Sequence, residues 1–443
     1  MKVLHIVHQF PPETHGGLET YVRDLARAQG QQGHSVTILA GNMAPRETVT
    51  IEDASDDGLT IKRLYRNDLF FDDWDKGYCP EVLPLVLQEV ANGDFDLVHL
   101  HHWIRLTHDL VQQLTMCGIP VVVTLHDFGT SCPRCFRSPP DSASCEKLLS
   151  VESCLDCVPR RPWQTDSEVS MGLELFRDNF RSELLRANRV LCASASLASS
   201  IAAYMGLGES VPFEVLPLGY EPRFGDRSDN PLSSGLRIGY WGAVTVRKGV
   251  DLLIEGFRQL VGRHPDRHDL SLHIYGAIDR SELEVELKKQ AEGLDVTFHG
   301  RFEYADIQSA ELNMAVFPSR CRETYGLVLD EAFELGLPVI VPDIGALPER
   351  AGAAGLVFHH DDAHSLADCL VQALNPACRE SLIAEIPPPA LDGAAHALKV
   401  IDVYTSVLGN PRDRASLPPA VSEQQRAEWL ALRAENQFRR LLE

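Results

Sequence analysis

KVLHIVHQF (residues 2–10), GLETYVRDLARAQGQQG (17–33) and HSVTILAG (34–41) read in order as an apolar β-branched run, a helical pattern closed by Gly33, and a second β-branched run. Strand, helix and strand at this spacing form a βαβ unit, whose two strands lie parallel because the crossover returns the chain to the same end of the sheet. The pattern repeats at LTIKRLYR (59–66), a helix near Pro84–Asn92, DLVHLHHW (96–103), a helix through Leu114, PVVVTLHDF (120–128) and RVLCASAS (189–196). Repeated units of this kind cover both faces of a parallel sheet with helices. One doubly wound domain over residues 1–213 is expected.

Beyond it the same alternation restarts. Strands are expected at LRIGYWG (236–242), SLHIYGA (271–277), VTFHG (296–300), MAVFPS (314–319) and PVIVPD (338–343), with helices in GVDLLIEGFRQLVGRH (249–264) and ETYGLVLDEAFELG (323–336). A second doubly wound domain over 214–389 follows. The length of 443 residues agrees, since single cores stop growing near roughly 250–300 residues. The expected class is therefore α/β, with two Rossmann-like domains facing each other across a cleft. Ligands of such sheets bind outside the carboxyl ends of the strands.

Composition narrows the function. With 44% hydrophobic and 23% charged residues the chain reads as globular rather than disordered. A formal net charge of -22 argues against nucleic acid as a partner, because polyanion binding relies on dense Lys and Arg surfaces. Any bound phosphate must sit in a local pocket. MKVLHIVHQF is too short for a spanning helix or a secretory core, and no apolar run reaches about 18 residues. A cytoplasmic location is expected. Residues 409–443 divide into a linker, NPRDRASLPPAVSE (410–423), and a helix, SEQQRAEWLALRAENQFRRLLE (422–443), opened by Ser422 and Gln425 as a capping box. Ala427, Leu430, Ala434 and Leu441 form its apolar stripe. That stripe is either a solvated face or a seam for a partner protein or the inner face of a membrane.

The most specific motif is RETYGLVLDEAFELGLPVIV (322–341). With Glu323 in the loop before a helix, the backbone N–H groups of Thr324, Tyr325, Gly326 and Leu327 are free to bind an anion such as a nucleoside diphosphate. Glu331 follows about two turns later, so the two carboxylates suit a sugar ring and a ribose. The bland alternative puts both on an exposed helix face. In GYWGAVTVRKGVDLLI (239–254), Arg247 and Lys248 precede the Gly249 turn, and two adjacent cations suit a diphosphate leaving group. A solvated pair is the alternative. Gly16 and Gly17 occupy the first strand-to-helix loop, where small residues let backbone approach a ligand. His126 ends a buried strand and is placed to bond a sugar hydroxyl; a structural histidine is the competing reading. His101, His102 and Trp103 end another strand on the acceptor side.

Taken in order, HGG, the strand ending in HD, the lysine–glycine loop, and ETYGLVLDEA followed by GLPVIV resemble glycosyltransferase family 4, retaining transferases of GT-B fold. The resemblance spans residues 1–407. It implies that Gly16 and Gly17 approach the donor diphosphate, that Lys248 contacts it, that Glu323 contacts the transferred sugar and that Glu331 holds the ribose. His126 then matches the histidine that binds the donor sugar near its anomeric carbon. A crossover helix near residues 390–408 would return to the first domain. Ala243 stands where family members often carry Arg, and Arg247 is the candidate substitute. The implied chemistry uses a nucleotide-diphosphate sugar, a glycan or lipid-linked acceptor and no redox cofactor, as in polysaccharide assembly. Competing readings are a sugar-nucleotide epimerase, a phosphorylase-like enzyme, or a non-catalytic sugar-nucleotide scaffold.

Residues 131–160 carry Cys132, Cys135, Cys145, Cys154 and Cys157. Spacing alone selects the two C-x2-C pairs as a four-thiolate zinc site. The family resemblance selects Cys132, Cys145, Cys154 and Cys157 and leaves Cys135 over. An iron–sulfur cluster or no metal are the alternatives. Cys117, Cys192 and Cys369 are expected to be buried thiols.

Overall fold

The computed structural model describes residues 1–442 except 14–15, 57, 69–71, 141–143, 226–234 and 411–420; the side chains of residues 209 and 435–442 are also outside the description. His15 of the HGG motif, most of the expected linker and the side chain of Leu441 therefore lie outside the described residues.

The first sheet has eight strands in the order β3-β4-β2-β1-β5-β6-β7-β8. They are β1 (Lys2–Val7), β2 (Ser35–Gly41), β3 (Thr50–Asp56), β4 (Leu59–Tyr65), β5 (Leu97–Leu100), β6 (Val121–Leu125), β7 (Arg189–Cys192) and β8 (Phe213–Val215). All neighbours pair parallel except β3, which runs antiparallel on β4 at the edge. β3 has no place in the sequence reading because its TIEDASD run is polar and half-exposed, which an edge strand tolerates. β8 continues this sheet two residues past the expected boundary at 213.

The second sheet is wholly parallel, in the order β11-β10-β9-β12-β13-β14. Its strands are β9 (Leu236–Trp241), β10 (Leu270–Tyr275), β11 (Val296–Gly300), β12 (Met314–Val316), β13 (Val339–Pro342) and β14 (Gly355–Phe358). Strand order reverses between β1 and β5 in one sheet and between β9 and β12 in the other. Crevices at such switch points are where open α/β sheets hold ligands.

The helix expected over 323–336 is shorter, spanning only Val328–Glu334. Gly326 at φ 85° ends the preceding loop in a conformation that no helix continues. Helix Gly393–Gly409 is the crossover element: its Ala397, Val400, Val403, Tyr404 and Val407 pack on Val3, Leu25, Leu97, Val122 and Leu191 of the first domain.

The C-terminal helix, Glu423–Leu442, corrects the reading of its stripe. Ala427 and Ala434 are exposed, and Arg426, Trp429 and Arg433 form the buried face. Trp429 packs with Val421 and Leu175. Arg426 pairs with Asp109 at 2.9 Å and Arg433 with Asp68 at 3.1 Å. A three- and four-residue spacing still defines the face, but long guanidinium arms reaching buried carboxylates mark it instead of aliphatic residues. Its described part thus docks on its own chain. Cys192 and Cys369 are buried as expected, whereas Cys117 is exposed because it caps helix Leu110–Met116. No helix among the described residues is long and apolar enough to cross a membrane.

Candidate active site

The loop after β9 forms a short turn, Val246–Lys248, that Gly249 ends at φ 69°. A Cβ at position 249 would stand 2.1 Å from the Pro318 carbonyl oxygen, so only glycine lets this loop lie against the end of β12. That approach brings Lys248 Nζ to 2.5 Å from the Glu323 carboxylate. Ser319 donates to the same oxygen at 2.8 Å. The Glu323 carboxylate holds the lysine cation by raising its pKa against the opposing effect of burial. The backbone of Glu323 is fixed as well: Ala346 N–H donates to its carbonyl at 2.8 Å, and a Cβ on Gly345 would meet its N and O at 2.7 Å.

Between Glu323 and helix Val328–Glu334, the N–H groups of Tyr325, Gly326 and Leu327 make no hydrogen bond to another described residue. Arg350 shapes this loop from below. It donates to the Gly326 carbonyl at 2.9 Å, stacks on the Tyr325 ring at 3.7 Å and pairs with Asp330 at 2.6 Å. Glu331 is 5% exposed. Its carboxylate accepts from Trp241 Nε1 at 2.7 Å and Tyr304 Oη at 3.2 Å and pairs with Arg223 at 3.2 Å. Burial raises its pKa, and Arg223 opposes that rise first among its neighbours. Both glutamates therefore hold specific partners instead of lying on a solvated helix face. Arg247 points elsewhere: its guanidinium lies over the Phe136 ring at 4.0 Å, on the cysteine-rich insertion.

On the facing domain, β6 delivers His126 to the edge of a cavity of about 110 Å³. Aromatic rings of Trp74, Trp103, Phe176 and Phe180 line it, together with Asp127, Arg105 and His102. Asp127 accepts Gly129 N–H at 2.7 Å and approaches His102 Nε2 at 3.3 Å. His126 is pushed down to about 4, chiefly by lost hydration, with Asp127 opposing; it is a neutral imidazole at pH 7. Gly16 and Gly17 open helix Gly17–Gln31. Open space surrounds the Cβ position of Gly17, while one on Gly16 would meet the Glu19 carboxylate at 2.3 Å.

The two sides touch at the middle of the cleft. Thr324 Oγ1 donates to the His126 carbonyl at 2.8 Å, and Ser194 Oγ donates to the Thr324 carbonyl at 2.8 Å. Glu349 accepts the N–H groups of Ala195 and Ser196 at 2.9 and 2.8 Å. The glutamate loop and His126 are thus tied directly. Sequence reading did not single out Ser319, Trp241, Tyr304 or Arg223. Only Ser319, four residues before Glu323, carried a local signal.

The insertion also reaches across the cleft, where Glu146 pairs with Arg322, while Arg137 anchors it to its own domain by stacking on Tyr204 at 3.4 Å. Cys154 lies within electrostatic reach of Cys132, Cys145 and Cys157, and Cys135 lies near both Asp127 and Cys132.

A sucrose-phosphate synthase from Thermosynechococcus elongatus superposes with a TM-score of 0.62 at 19% identity, covering 92% of this chain and 100% of that one. Anabaena HepE, solved with UDP and glucose, superposes with a TM-score of 0.56 at 18% identity, covering 92% of this chain and 100% of its own. Two α/β sheets, parallel except for the edge strand β3 and opposed across a cleft, are shared with these proteins and define the GT-B architecture of glycosyltransferases. Residues 15–224 match the profile described as Glycosyltransferase Family 4, and residues 235–376 match that described as Glycosyl transferases group 1. A phosphatidyl-myo-inositol mannosyltransferase of Mycobacterium leprae is 27% identical over 402 residues, which cover 88% of this chain and 93% of the relative. The chain belongs to glycosyltransferase family 4.

Proposed function

We propose that the protein is a retaining hexosyltransferase of the cytoplasm that moves a sugar from a nucleoside-diphosphate donor to a glycan or lipid-linked acceptor in glycoconjugate assembly. The observation that carries this reading is the Lys248–Glu323 pair, 2.5 Å apart, on a loop bonded to the His126 carbonyl across the cleft. In this reading Lys248 and the free N–H groups of Tyr325, Gly326 and Leu327 bind the diphosphate, as a cation and backbone donors do at anion sites. Glu323 accepts hydroxyls of the transferred sugar. Glu331 reaches the ribose with the lone pairs that Trp241, Tyr304 and Arg223 leave. Arg247 joins the diphosphate only by leaving Phe136.

Retention follows from front-face departure: the anomeric bond breaks toward the diphosphate, and the leaving oxygen takes the acceptor proton. Lys248 offsets the charge that develops on that oxygen. Neighbouring carboxylates are engaged, Glu323 by Lys248 and Ser319 and Asp127 by Gly129 and His102, which disfavours a covalent intermediate. The glycan part of the acceptor suits the cavity beside His126, whose aromatic walls and carboxylates match sugar faces and hydroxyls.

Uridine, guanosine, adenosine and thymidine diphosphates, compared by thermal unfolding, test this. One of them is expected to stabilise the protein by about 2.7 kcal/mol at 100 times its dissociation constant. No stabilisation by any of the four would remove the reading.

The insertion is read as a zinc site of Cys132, Cys145, Cys154 and Cys157, with Cys135 left toward the cavity. Burial pushes the Cys132 thiol up, and the N–H groups of Arg134 and Arg137 that its sulfur accepts oppose that rise. Among the described residues no three cysteine sulfurs lie within 4.8 Å of one another, so ligation must draw them together. Metal analysis of protein purified under reducing conditions is expected to give about one equivalent of zinc. Less than half an equivalent counts against the site.

A further inference from the structure

Beneath His126 lies an unbroken chain of buried polar side chains contributed by β1, β5, β6, helix Gly17–Gln31 and the crossover helix. His126 Nε2 lies 3.2 Å from His101 Nδ1, and His101 Nε2 lies 2.9 Å from His5 Nδ1. His5 Nε2 lies 2.8 Å from Gln29 Oε1. Gln29 Nε2 then donates to Tyr404 Oη at 3.3 Å. Tyr404 Oη lies 2.5 Å from His99 Nδ1, and His99 Nε2 lies 2.7 Å from Thr124 Oγ1. His5, His99, His101 and Tyr404 are all fully or almost fully buried.

An amide has unlike ends, and this sets the direction of the whole chain. Gln29 Oε1 only accepts, so His5 carries its proton on Nε2 and offers a bare Nδ1. His101 must then donate from Nε2, leaving its own Nδ1 bare, and His126 must donate from Nε2 in turn. On the other arm, Tyr404 accepts from Gln29 and gives its proton to His99 Nδ1, and His99 donates from Nε2 to Thr124. Each contact along the chain then joins one donor to one acceptor, with no imidazole doubly protonated and no pair of lone pairs opposed. His5, His99 and His101 also bring ring nitrogens within 4.8 Å of one another. A cation does not fit that trio, because each of the six nitrogens is already committed to a hydrogen bond and the His5–His101 contact closes the space between them.

We propose that Gln29, acting through His5 and His101, fixes His126 in the Nε2–H tautomer, so that its Nδ1 lone pair is the face presented to the substrate. Gln29, His5 and His101 are positioning residues; none of them touches substrate. His126 Nδ1 has no partner among the described residues, and the side chain lines the cavity. On the proposed glycosyl-transfer reading, His126 accepts a hydrogen bond from a sugar hydroxyl and does not donate one to the leaving group. Lost hydration holds His5 and His126 down to about 4, which agrees with single protonation at neutral pH.

The test is the tautomer itself, read at pH 7 by long-range proton–nitrogen correlation on the full chain labelled with ¹⁵N-histidine. His5, His101 and His126 are assigned by replacing each with Gln in turn. All three are expected to show a protonated Nε2 and a bare Nδ1. A His126 protonated on Nδ1, or on both nitrogens, overturns the proposal. Gln29→Leu is expected to turn the single His126 form into a mixture of both tautomers, whereas Gln29→Glu, which still accepts, keeps it single. A His126 left wholly Nε2–H in Gln29→Leu also overturns the proposal. If Gln29→Leu does not fold, the wild-type and Gln29→Glu spectra decide. This readout needs no substrate, so it stands or falls apart from the nucleotide-binding result above.

Discussion

Lys248→Ala is expected to lower sugar transfer about 10²–10³-fold while the protein stays folded. The lysine and Glu323 are partly exposed, at 38% and 20% of their side chains, and ion pairs of that exposure contribute only about 0–1 kcal/mol to stability. Its removal therefore reports on function rather than on folding. The large catalytic effect arises because charge grows on the leaving diphosphate as the anomeric bond breaks, and a preorganised cation stabilises that state more than the ground state. Glu323→Gln keeps the size of the side chain and removes the charge that holds Lys248 in place. It is expected to fall into the same range. Turnover of Lys248→Ala within about threefold of the wild type would sink the assignment of Lys248 to the diphosphate. An unchanged unfolding midpoint in that variant shows that the loss is not one of structure.

The parts of this site that periodicity announces were legible, and those made by tertiary contact were not. The βαβ units, both domains and the paired glutamates follow from apolar runs, glycine exits and local spacing, all features within a dozen residues. Which atoms Glu331 meets depends on Trp241, Tyr304 and Arg223, which come from separate stretches of chain. No local pattern joins them. Arg247 shows the same limit: adjacency to Lys248 suggests a shared ligand, but the two side chains leave a tight turn in different directions, and one crosses to Phe136. The C-terminal helix misled for another reason. Its buried face is built on Arg426 and Arg433, and apolar periodicity counts arginine as surface even when its stem packs and its head pairs. The histidine chain was equally hidden: His101 was read only as an acceptor-side residue, and His5 and His99 each look like an isolated polar residue in a strand until parallel pairing sets them side by side.

Those histidines give the second large effect. Lowering the pH from 6.5 to 5.5 is expected to cost about 1 kcal/mol of stability for each histidine that stays neutral in the folded protein. Lost hydration is the leading cause in every case, holding His5, His126 and His396 down to about 4 and His108 to about 3. His8 is held to about 2, again by burial first, then by His102 and Arg105. Burial also holds His99 and His101 well below the ordinary value. The sign follows directly. Below the ordinary value near 6.5 the unfolded chain binds protons that the folded chain refuses, so stability rises with pH across this window and falls on acidification. Seven such groups amount to about 7 kcal/mol as an upper limit, against the roughly 5–15 kcal/mol that holds a domain together. Urea unfolding of the full chain at pH 7.5, 6.5 and 5.5 measures it. The midpoint should drop steeply in the last step and little in the first, because the histidines of the unfolded chain are already mostly neutral above 6.5. A midpoint constant to pH 5.5 would mean that these rings take up protons in place, which the chain of single donors and single acceptors beneath His126 does not allow.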